Sequence, residues 1–293
     1  MDKVLSDKRA ICLFIIPSLL LFSFIIIAPI IISVQYSTLD WDGMSKGTFV
    51  GFDNYYNLFF GVRSKFPQAV TNSLLFAAVS IFIQLPFSLL LALVISNGVK
   101  FENFYRCVYF IPVIISTVVI GQLWMKIYHP DYGLLNMLLR GLGLDGWTRS
   151  WLGTKETALM ACFVPILWQY IGYHMLLYYG ALKSISPDIY EAARIDGASG
   201  VRTAFSISIP LIKPMIKTSA TFSLIGSLKV FDLIFVLTNG GPASATEVPS
   251  TLMYKTIFRK LHYGEGSTMA IFIILECIVM SVLLQRLFKT ETY

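Results

Sequence analysis

The hydrophobic positions of the chain fall into six long apolar runs, and this pattern predicts six membrane-spanning helices. The runs cover about residues 11–34, 74–95, 107–125, 157–182, 218–238 and 267–285. Each is close to the ~20 apolar residues that cross a bilayer as a helix. We expect no cleavable signal peptide, because the first run is too long for one and no small-residue cleavage pattern follows it. The prediction is an all-α membrane protein with a single domain, residues 1–293.

The most ordered polar stretch between the predicted spans is residues 183–215, which predicts two short helices joined by a turn. Ser186 suits the N-cap position, and Pro187 suits the first helical position, where its missing N–H costs nothing. Gly197 is a natural left-handed residue to end the first helix. A second helix is expected at about residues 199–208.

Composition indicates a membrane protein, and the distribution of charge predicts its orientation in the membrane. The chain is 56% hydrophobic and 14% charged, whereas a soluble domain has about a quarter of its residues charged. The density of Lys and Arg is about twofold higher in the termini and in the second and fourth connections than in the other three. The positive-inside rule therefore predicts that both termini and residues 183–215 are cytoplasmic. No basic patch interleaved with aromatic residues indicates nucleic-acid binding.

Polar side chains inside the apolar runs are the candidate pathway residues, since such groups are costly in lipid and usually face the bundle interior or a cavity. The candidates are Thr117, Gln169, Tyr170, Tyr173, His174, Ser223, Ser227, Lys229 and Asp232. Tyr170, Tyr173 and His174 share one helical face at spacings of three and four. That face suits a sugar, which has apolar C–H patches and many hydroxyls, but it equally suits helix packing. Small Ser and Thr side chains also occur simply as contacts between helices.

The charged residues within spans each have two interpretations. Lys229 and Asp232 lie three apart, so we expect them to share a helix face and pair, or else to edge a polar cavity. Glu276 lies in the middle of the sixth run. A buried hydrogen-bonded or neutral carboxyl is the preferred interpretation, since a proton relay would need a chain of partnered acids.

Sequence motifs for catalysis and for metal or nucleotide binding are missing. The chain contains no GxxxxGK[ST], HExxH or GxSxG motif, and its three histidines are widely separated. We therefore expect no catalytic residues, no metal site and no cofactor in this chain. A proton-coupled secondary carrier would need more intramembrane acids and internal repeat symmetry than the sequence offers.

The connection at residues 183–215 also resembles a known motif. Glu191-Ala192-Ala193, Asp196-Gly197-Ala198, Ile207 and Pro210 are similar in type and spacing to the EAA motif of bacterial ABC importer permeases. Further similarities, to the carbohydrate (MalF/UgpA-like) subfamily, lie at residues 51–55, 132–136 and 237–242. Together they extend over nearly the whole chain.

The resemblance implies a type I ABC importer permease (MetI-like) fold with six transmembrane helices and cytoplasmic coupling helices. The EAA segment would be the coupling helix that docks in a cleft of a separate ATPase. The residues carried over to this coupling are Glu191, Ala192, Ala193, Arg194, Asp196, Gly197 and Pro210. Ala192 and Ala193 would allow close approach of the partner.

The resemblance also implies partners and a function. The chain would form half of the pathway of an ATP-driven sugar importer, expected to carry oligosaccharides, by alternating access in the bacterial cytoplasmic membrane. Its partners would be a second, MalG-like permease, two ATP-binding subunits that bind ATP and Mg, an extracytoplasmic sugar-binding protein and membrane lipid. A glycerol-phosphate-type importer is the alternative. It is less favoured because Asp232 can neutralise Lys229, the basic residue well inside a span. A proton-coupled sugar carrier is less favoured still.

Overall fold

The computed structural model describes the backbone of residues 8–288 and the side chains of residues 12–288. Residues 1–7 and 289–293, which the predicted single domain includes, lie outside the described residues. The described chain is almost entirely helical. Its helices are α1 (Lys8–Phe22), α2 (Ala28–Ser37), α3 (Asp53–Phe60), α4 (Phe66–Val79), α5 (Leu85–Ser96), α6 (Glu102–Ile114), α7 (Thr117–Ile127), α8 (Leu134–Gly141), α9 (Lys155–Lys183), α10 (Pro187–Ile195), α11 (Gly200–Thr203), α12 (Ile209–Leu211), α13 (Lys213–Leu228), α14 (Asp232–Leu237), α15 (Pro249–Phe258) and α16 (Tyr263–Leu287).

Short irregular segments complete this order. Three π-helical segments, at Ser23–Ile27, Ser80–Gln84 and Ala204–Ser208, join consecutive α-helices into longer rods, and a 3₁₀ turn occupies Asp145–Trp147. Two strands, β1 (Leu39–Asp40) and β2 (Thr48–Phe49), pair antiparallel.

Within residues 8–288, five helices are long and apolar enough to cross a membrane. They are Cys12–Ser37, Phe66–Ser96, Lys155–Lys183, Lys213–Leu237 and Tyr263–Leu287. They correspond to the first, second, fourth, fifth and sixth predicted spans, and each extends beyond the predicted bounds at one end or both. The apolar core of the first is not buried by the rest of the described protein, so its surface is available to lipid or to another subunit.

The third predicted span, 107–125, is not one helix. It consists of α6 and α7, which meet at an angle of 96°. Pro112 lies inside α6, where it cannot donate a backbone hydrogen bond, and Ile115 and Ser116 then adopt extended backbone (ψ 137° and 133°). The helix therefore ends at Ile114 and restarts at Thr117, and the bent pair supplies the sixth candidate crossing.

The fifth predicted span, 218–238, is also interrupted. Helix α13 ends at Leu228 and α14 begins at Asp232, because Lys229 and Phe231 leave helical geometry. Lys229 and Asp232 therefore do not share a face of one helix, and in the described part of the chain neither makes an ion pair. The prediction that they pair was wrong, because a spacing of three gives a common face only when the helix is continuous.

One compact unit comprises the described residues up to Ser64 together with Met253–Ile274. Here the Asn54 side-chain amide donates hydrogen bonds to the carbonyls of Ser37 (2.9 Å) and Leu39 (2.8 Å). Thr268 also donates to Ser37 (3.2 Å). These bonds hold the end of the first span against α3 and the start of α16.

The second unit comprises Lys65–Leu252 and the described residues from Leu275 onward. Its centre is α9, which packs against α5 and α6, while α4 packs against α13 and α7 against α14. The contact of α9 with α6 is very close: a Cβ on Gly172 would lie 1.8 Å from the carbonyl oxygen of Tyr109. Buried apolar side chains such as Phe76, Met175 and Leu224 fill the spaces between these helices.

Candidate functional site

A cavity of about 450 Å³ lies inside the second unit. All nine predicted pathway residues line it: Thr117, Gln169, Tyr170, Tyr173, His174, Ser223, Ser227, Lys229 and Asp232. They come from α7, α9, α13, α14 and the break between the last two. The structure thus brings together side chains that the sequence placed on three separate spans.

Both interrupted spans border this cavity. Val113 and Thr117 flank the bend between α6 and α7, and residues 229–232 form the break between α13 and α14. At such breaks the backbone leaves the helical hydrogen-bond ladder, and in membrane proteins this is tolerated where the chain is buried in protein or lines a cavity. Discontinuous helices near the middle of a membrane protein commonly mark a substrate site.

Several of the polar side chains around the cavity already have partners. His174 Nδ1 and Ser219 Oγ are 2.6 Å apart, and Ser227 Oγ donates to Ser80 Oγ at 3.0 Å. Gln169 uses its Nε2 to donate to Thr117 Oγ1 at 3.2 Å. These bonds connect α9 to α13, α13 to the π-helical segment, and α9 to α7, so they help to hold the walls together.

Sequence reasoning missed two polar residues of the cavity, Ser80 and Gln84. They are the first and last residues of the π-helical segment between α4 and α5. A π turn inside a helix is rare and often occurs at functional sites. The sequence signal was a glutamine followed two residues later by Pro86, inside a predicted span, 74–95, otherwise free of long polar side chains.

The two charged residues of the cavity lie at the facing ends of two consecutive helices. Lys229 caps the C-terminal end of α13 and Asp232 starts α14, so each has the sign that the nearby helix end favours. The cavity therefore carries one positive and one negative group, and both residues are exposed.

Glu276 lies outside the cavity lining. It is buried on α16, and neither carboxyl oxygen has a hydrogen-bond partner among the described residues. The expectation of a buried carboxyl agrees with this position, but the expected hydrogen bond is not present.

The predicted coupling segment contains the expected first helix. Helix α10 runs from Pro187 to Ile195 and ends at Gly197, which has φ +73°. The Gly197 N–H bonds to the Arg194 carbonyl (3.0 Å) and the Ala198 N–H to the Ala193 carbonyl (2.9 Å), which is the Schellman arrangement. The second predicted helix, 199–208, is a short α-helix continued by a π-helical segment, and Pro210 lies in the following turn, α12.

The coupling residues differ in their exposure. Glu191 and Arg194 line a groove of about 490 Å³, and Ala192, Asp196 and Gly197 are exposed. Ala193 is 5% exposed, whereas Ala192 is exposed. Close approach of a partner at these two alanines stays a prediction. Among the described residues, no group of three or more His, Cys, Asp or Glu could hold a metal ion.

Comparisons with known proteins agree with this architecture. The chain is 39% identical over 281 residues to the probable ABC transporter permease protein YurN of Bacillus subtilis, covering 95% of both chains. It is 31% identical to the diacetylchitobiose uptake system permease protein NgcF of Streptomyces coelicolor, over 90% of this chain and 78% of that one. A crystal structure of a bacterial ABC transporter involved in the import of the acidic polysaccharide alginate matches 98% of each chain, with a TM-score of 0.84 and 26% identity.

A family profile gives the same result. The profile described as the inner membrane component of binding-protein-dependent transport systems matches residues 84–291. The match covers the cavity from Gln84 onward together with the whole of the segment at 183–215. The apolar helices place the protein in the cell membrane as a multi-pass component. The chain therefore belongs to the family of inner membrane components of binding-protein-dependent transport systems, the permeases of ABC importers, and it is a transport subunit rather than an enzyme.

Proposed function

We propose that this chain is the permease subunit of an ATP-driven sugar importer and that its cavity is part of the sugar pathway. The observation that carries this proposal is that one helix, α9, both lines the cavity and leads into the predicted coupling segment. The middle of α9 lines the cavity, and α10 begins at Pro187, four residues after α9 ends at Lys183.

The cavity lining supports a sugar as the substrate. Tyr170 and Tyr173 offer aromatic faces to apolar C–H surfaces, while amide and hydroxyl side chains offer hydrogen bonds. A phosphate-bearing substrate is less well matched, because Lys229 is accompanied in the lining by the opposite charge of Asp232. The uptake of diacetylchitobiose by the relative NgcF points to an oligosaccharide.

The coupling segment has the surface of a docking element. Ile195 and Val201 are 87% and 72% exposed, although both are apolar. Glu191, Arg194 and Asp196 in the same segment are also exposed and add charge. Exposed apolar side chains accompanied by charged ones suit a protein interface, and a separate ATP-binding subunit is the partner we propose for it. ATP and Mg are then bound by that subunit.

The remaining partners follow from the family. A second, similar permease would complete the pathway, two ATP-binding subunits would serve the two coupling segments, and an extracytoplasmic binding protein would deliver the sugar. The density of Lys and Arg supports a cytoplasmic position for the coupling segment and both termini. Movement of α10 would reach the cavity through α9 and switch its access from one side of the membrane to the other.

The test uses the complete transporter in proteoliposomes with its binding protein and a panel of neutral disaccharides. Glu191→Lys should abolish sugar-stimulated ATP hydrolysis while the chain remains inserted and assembled. Glu156→Lys makes the same charge change at an exposed position near the start of α9, at the end opposite to the coupling segment. It should leave stimulation unchanged. Stimulation of normal size in Glu191→Lys would rule out the coupling role, and a wild-type transporter that takes up no sugar would rule out the function.

A further inference from the structure

Among the described residues, three of the buried polar side chains that line the cavity have one atom without a hydrogen-bond partner. They are Gln84 Nε2, Gln169 Oε1 and Ser223 Oγ. The residues are 2%, 2% and 6% exposed, so bulk water does not readily satisfy them. Leaving such a buried group unpaired costs about 1–3 kcal/mol, and native proteins contain few of them. Three around one cavity therefore require an explanation.

The neighbouring polar residues do not share this property. Ser80 and Ser227 bond to each other, His174 bonds to Ser219, and Gln169 Nε2 bonds to Thr117. The hydrogen bonds that connect the cavity walls therefore leave these three atoms unpaired. They include an amide donor, an amide acceptor and a hydroxyl that can act as either.

We propose that Gln84, Gln169 and Ser223, which we call the polar trio, form the hydrogen-bonding contacts for one uncharged, hydroxyl-bearing sugar ring. A ring with adjacent hydroxyls donates and accepts at neighbouring positions, as the polar trio requires. None of the three side chains is charged, so this part of the cavity favours a neutral ring over a carboxylate or a phosphate. The inference rests on the proposed function, and it adds Gln84 as a specificity-determining residue.

The position of Gln84 supports this role independently. It ends the π-helical segment Ser80–Gln84, where one extra residue in the turn changes the direction of the following side chains. Helix α5 then starts with Pro86 in its first turn, so the backbone geometry at Gln84 is held from both sides. The result is a long amide that lines the cavity, in a stretch, residues 74–95, whose other side chains are apolar or small and polar.

The experiment compares the wild-type transporter with Gln84→Leu, which keeps the side-chain volume and removes the amide. Uptake is measured in proteoliposomes with the binding protein saturated, using the neutral disaccharide that the wild type transports and its monodeoxy derivatives. Gln84→Leu should lower uptake about three- to tenfold, the loss expected for one hydrogen bond. The amount of assembled transporter should not change.

The monodeoxy sugars distinguish a side chain that bonds directly to the sugar from one that only maintains the shape of the cavity. Removal of one particular hydroxyl should reduce wild-type uptake but cause no further loss in Gln84→Leu, because the bond is already absent. Ser223→Ala should behave in the same way toward a hydroxyl, which provides a smaller substitution if Gln84→Leu assembles poorly. Ser88→Ala is the matched control, since Ser88 lies one turn further along α5, is buried, and bonds to the Ile171 carbonyl outside the cavity.

The outcomes separate the two proposals. A wild-type transporter that takes up a sugar, combined with wild-type uptake in Gln84→Leu and Ser223→Ala, would overturn the polar trio and leave the proposed function standing. Equal losses for every monodeoxy sugar in wild type and variants would also overturn it, since the unpaired atoms would then be satisfied by water alone. A transporter that carries no sugar would overturn both.

Discussion

The Tyr179 hydroxyl of α9 donates a hydrogen bond to the Glu102 carboxylate at the start of α6. The Arg106 guanidinium lies over the Tyr179 ring, 4.3 Å from its centroid, and Lys183 Nζ is 3.4 Å from Glu102 Oε2. These contacts join the end of α9, next to the coupling segment, to the helix that leads to the bend at Ile115 and Ser116. They offer a second route from the coupling segment to the cavity.

Tyr179→Phe tests this connection, because it keeps the ring and its cation contact but removes the hydroxyl. We expect sugar-stimulated ATP hydrolysis to persist while fewer sugars are carried for each ATP, since α6 no longer follows α9 as closely. The ratio of uptake to ATP hydrolysis in proteoliposomes measures this. Tyr105→Phe, on an exposed tyrosine of α6, serves as the control, and an unchanged ratio in Tyr179→Phe would show that the contact carries no motion.

Gly172 is predicted to be a position that accepts no side chain. A Cβ there would meet backbone atoms of Tyr109 at 1.8 Å and 2.4 Å, and backbone cannot rotate away as a side chain can. Gly172→Ala should therefore destabilise the second unit by the upper end of about 1–3 kcal/mol, the usual range for overpacking. Thermal unfolding in detergent measures the loss.

Gly180, two turns further along α9, is exposed, and a methyl group added there would have no neighbouring atom within 4 Å. Gly180→Ala should leave stability unchanged or raise it by up to about 1 kcal/mol through helix propensity. Equal unfolding temperatures for the two variants would contradict the close approach of α6 and α9.

The end of α10 gives a second pair of glycine predictions. Gly197 has φ +73° and open space around it, so the penalty of Gly197→Ala is purely conformational, about 1–2 kcal/mol. Gly200 also has open space but no left-handed backbone, and Gly200→Ala should be neutral. Hydrogen exchange of the Ala198 amide, which bonds to the Ala193 carbonyl, should accelerate in the first variant and not in the second.

Asp42 provides a prediction for pH. Its carboxylate accepts hydrogen bonds from the Met44 and Ser45 amides and the Ser45 hydroxyl, which lower its pKa from 3.8 to about 2. Because the folded-state pKa is lowered, the carboxylate stabilises this loop fully above pH 3.8, and the contribution is lost as pH falls toward 2. Carboxyl NMR shifts, assigned with Asp42→Asn, should report the pKa of about 2. A midpoint at the unperturbed value would show that the turn is not formed.

The sequence predicted best those features that are determined locally. The positions of the five long spans follow from runs of apolar residues, and the bounds of α10 follow from Pro187 and Gly197. Ser186 occupies the predicted N-cap position, but its side chain makes no capping hydrogen bond. The predicted pathway residues are neighbours around one cavity, because polar groups in spans avoid lipid and face a common interior. That they carry a sugar stays a prediction.

The features that the sequence did not predict depend on contacts between distant residues. The bend between α6 and α7 involves Pro112, but other prolines, such as Pro165, lie inside helices that continue unbroken. Gln84 was overlooked because its proposed role rests on the missing hydrogen-bond partner of its Nε2. That absence can be recognised only when all the neighbouring residues are known. The interruption at residues 229–231 contains neither Pro nor Gly, so composition offered no sign that Lys229 and Asp232 would separate.

The continuous coupling segment and the scattered polar trio also differ in how freely they can change over evolution. The proposed coupling surface is encoded by one continuous stretch, residues 183–215, whereas the polar trio is contributed by three helices at Gln84, Gln169 and Ser223. Substitutions at these three positions can alter the sugar that is accepted without touching the surface proposed to meet the ATPase. The sugar that is accepted and the ATPase that is bound can therefore change independently of each other within the family.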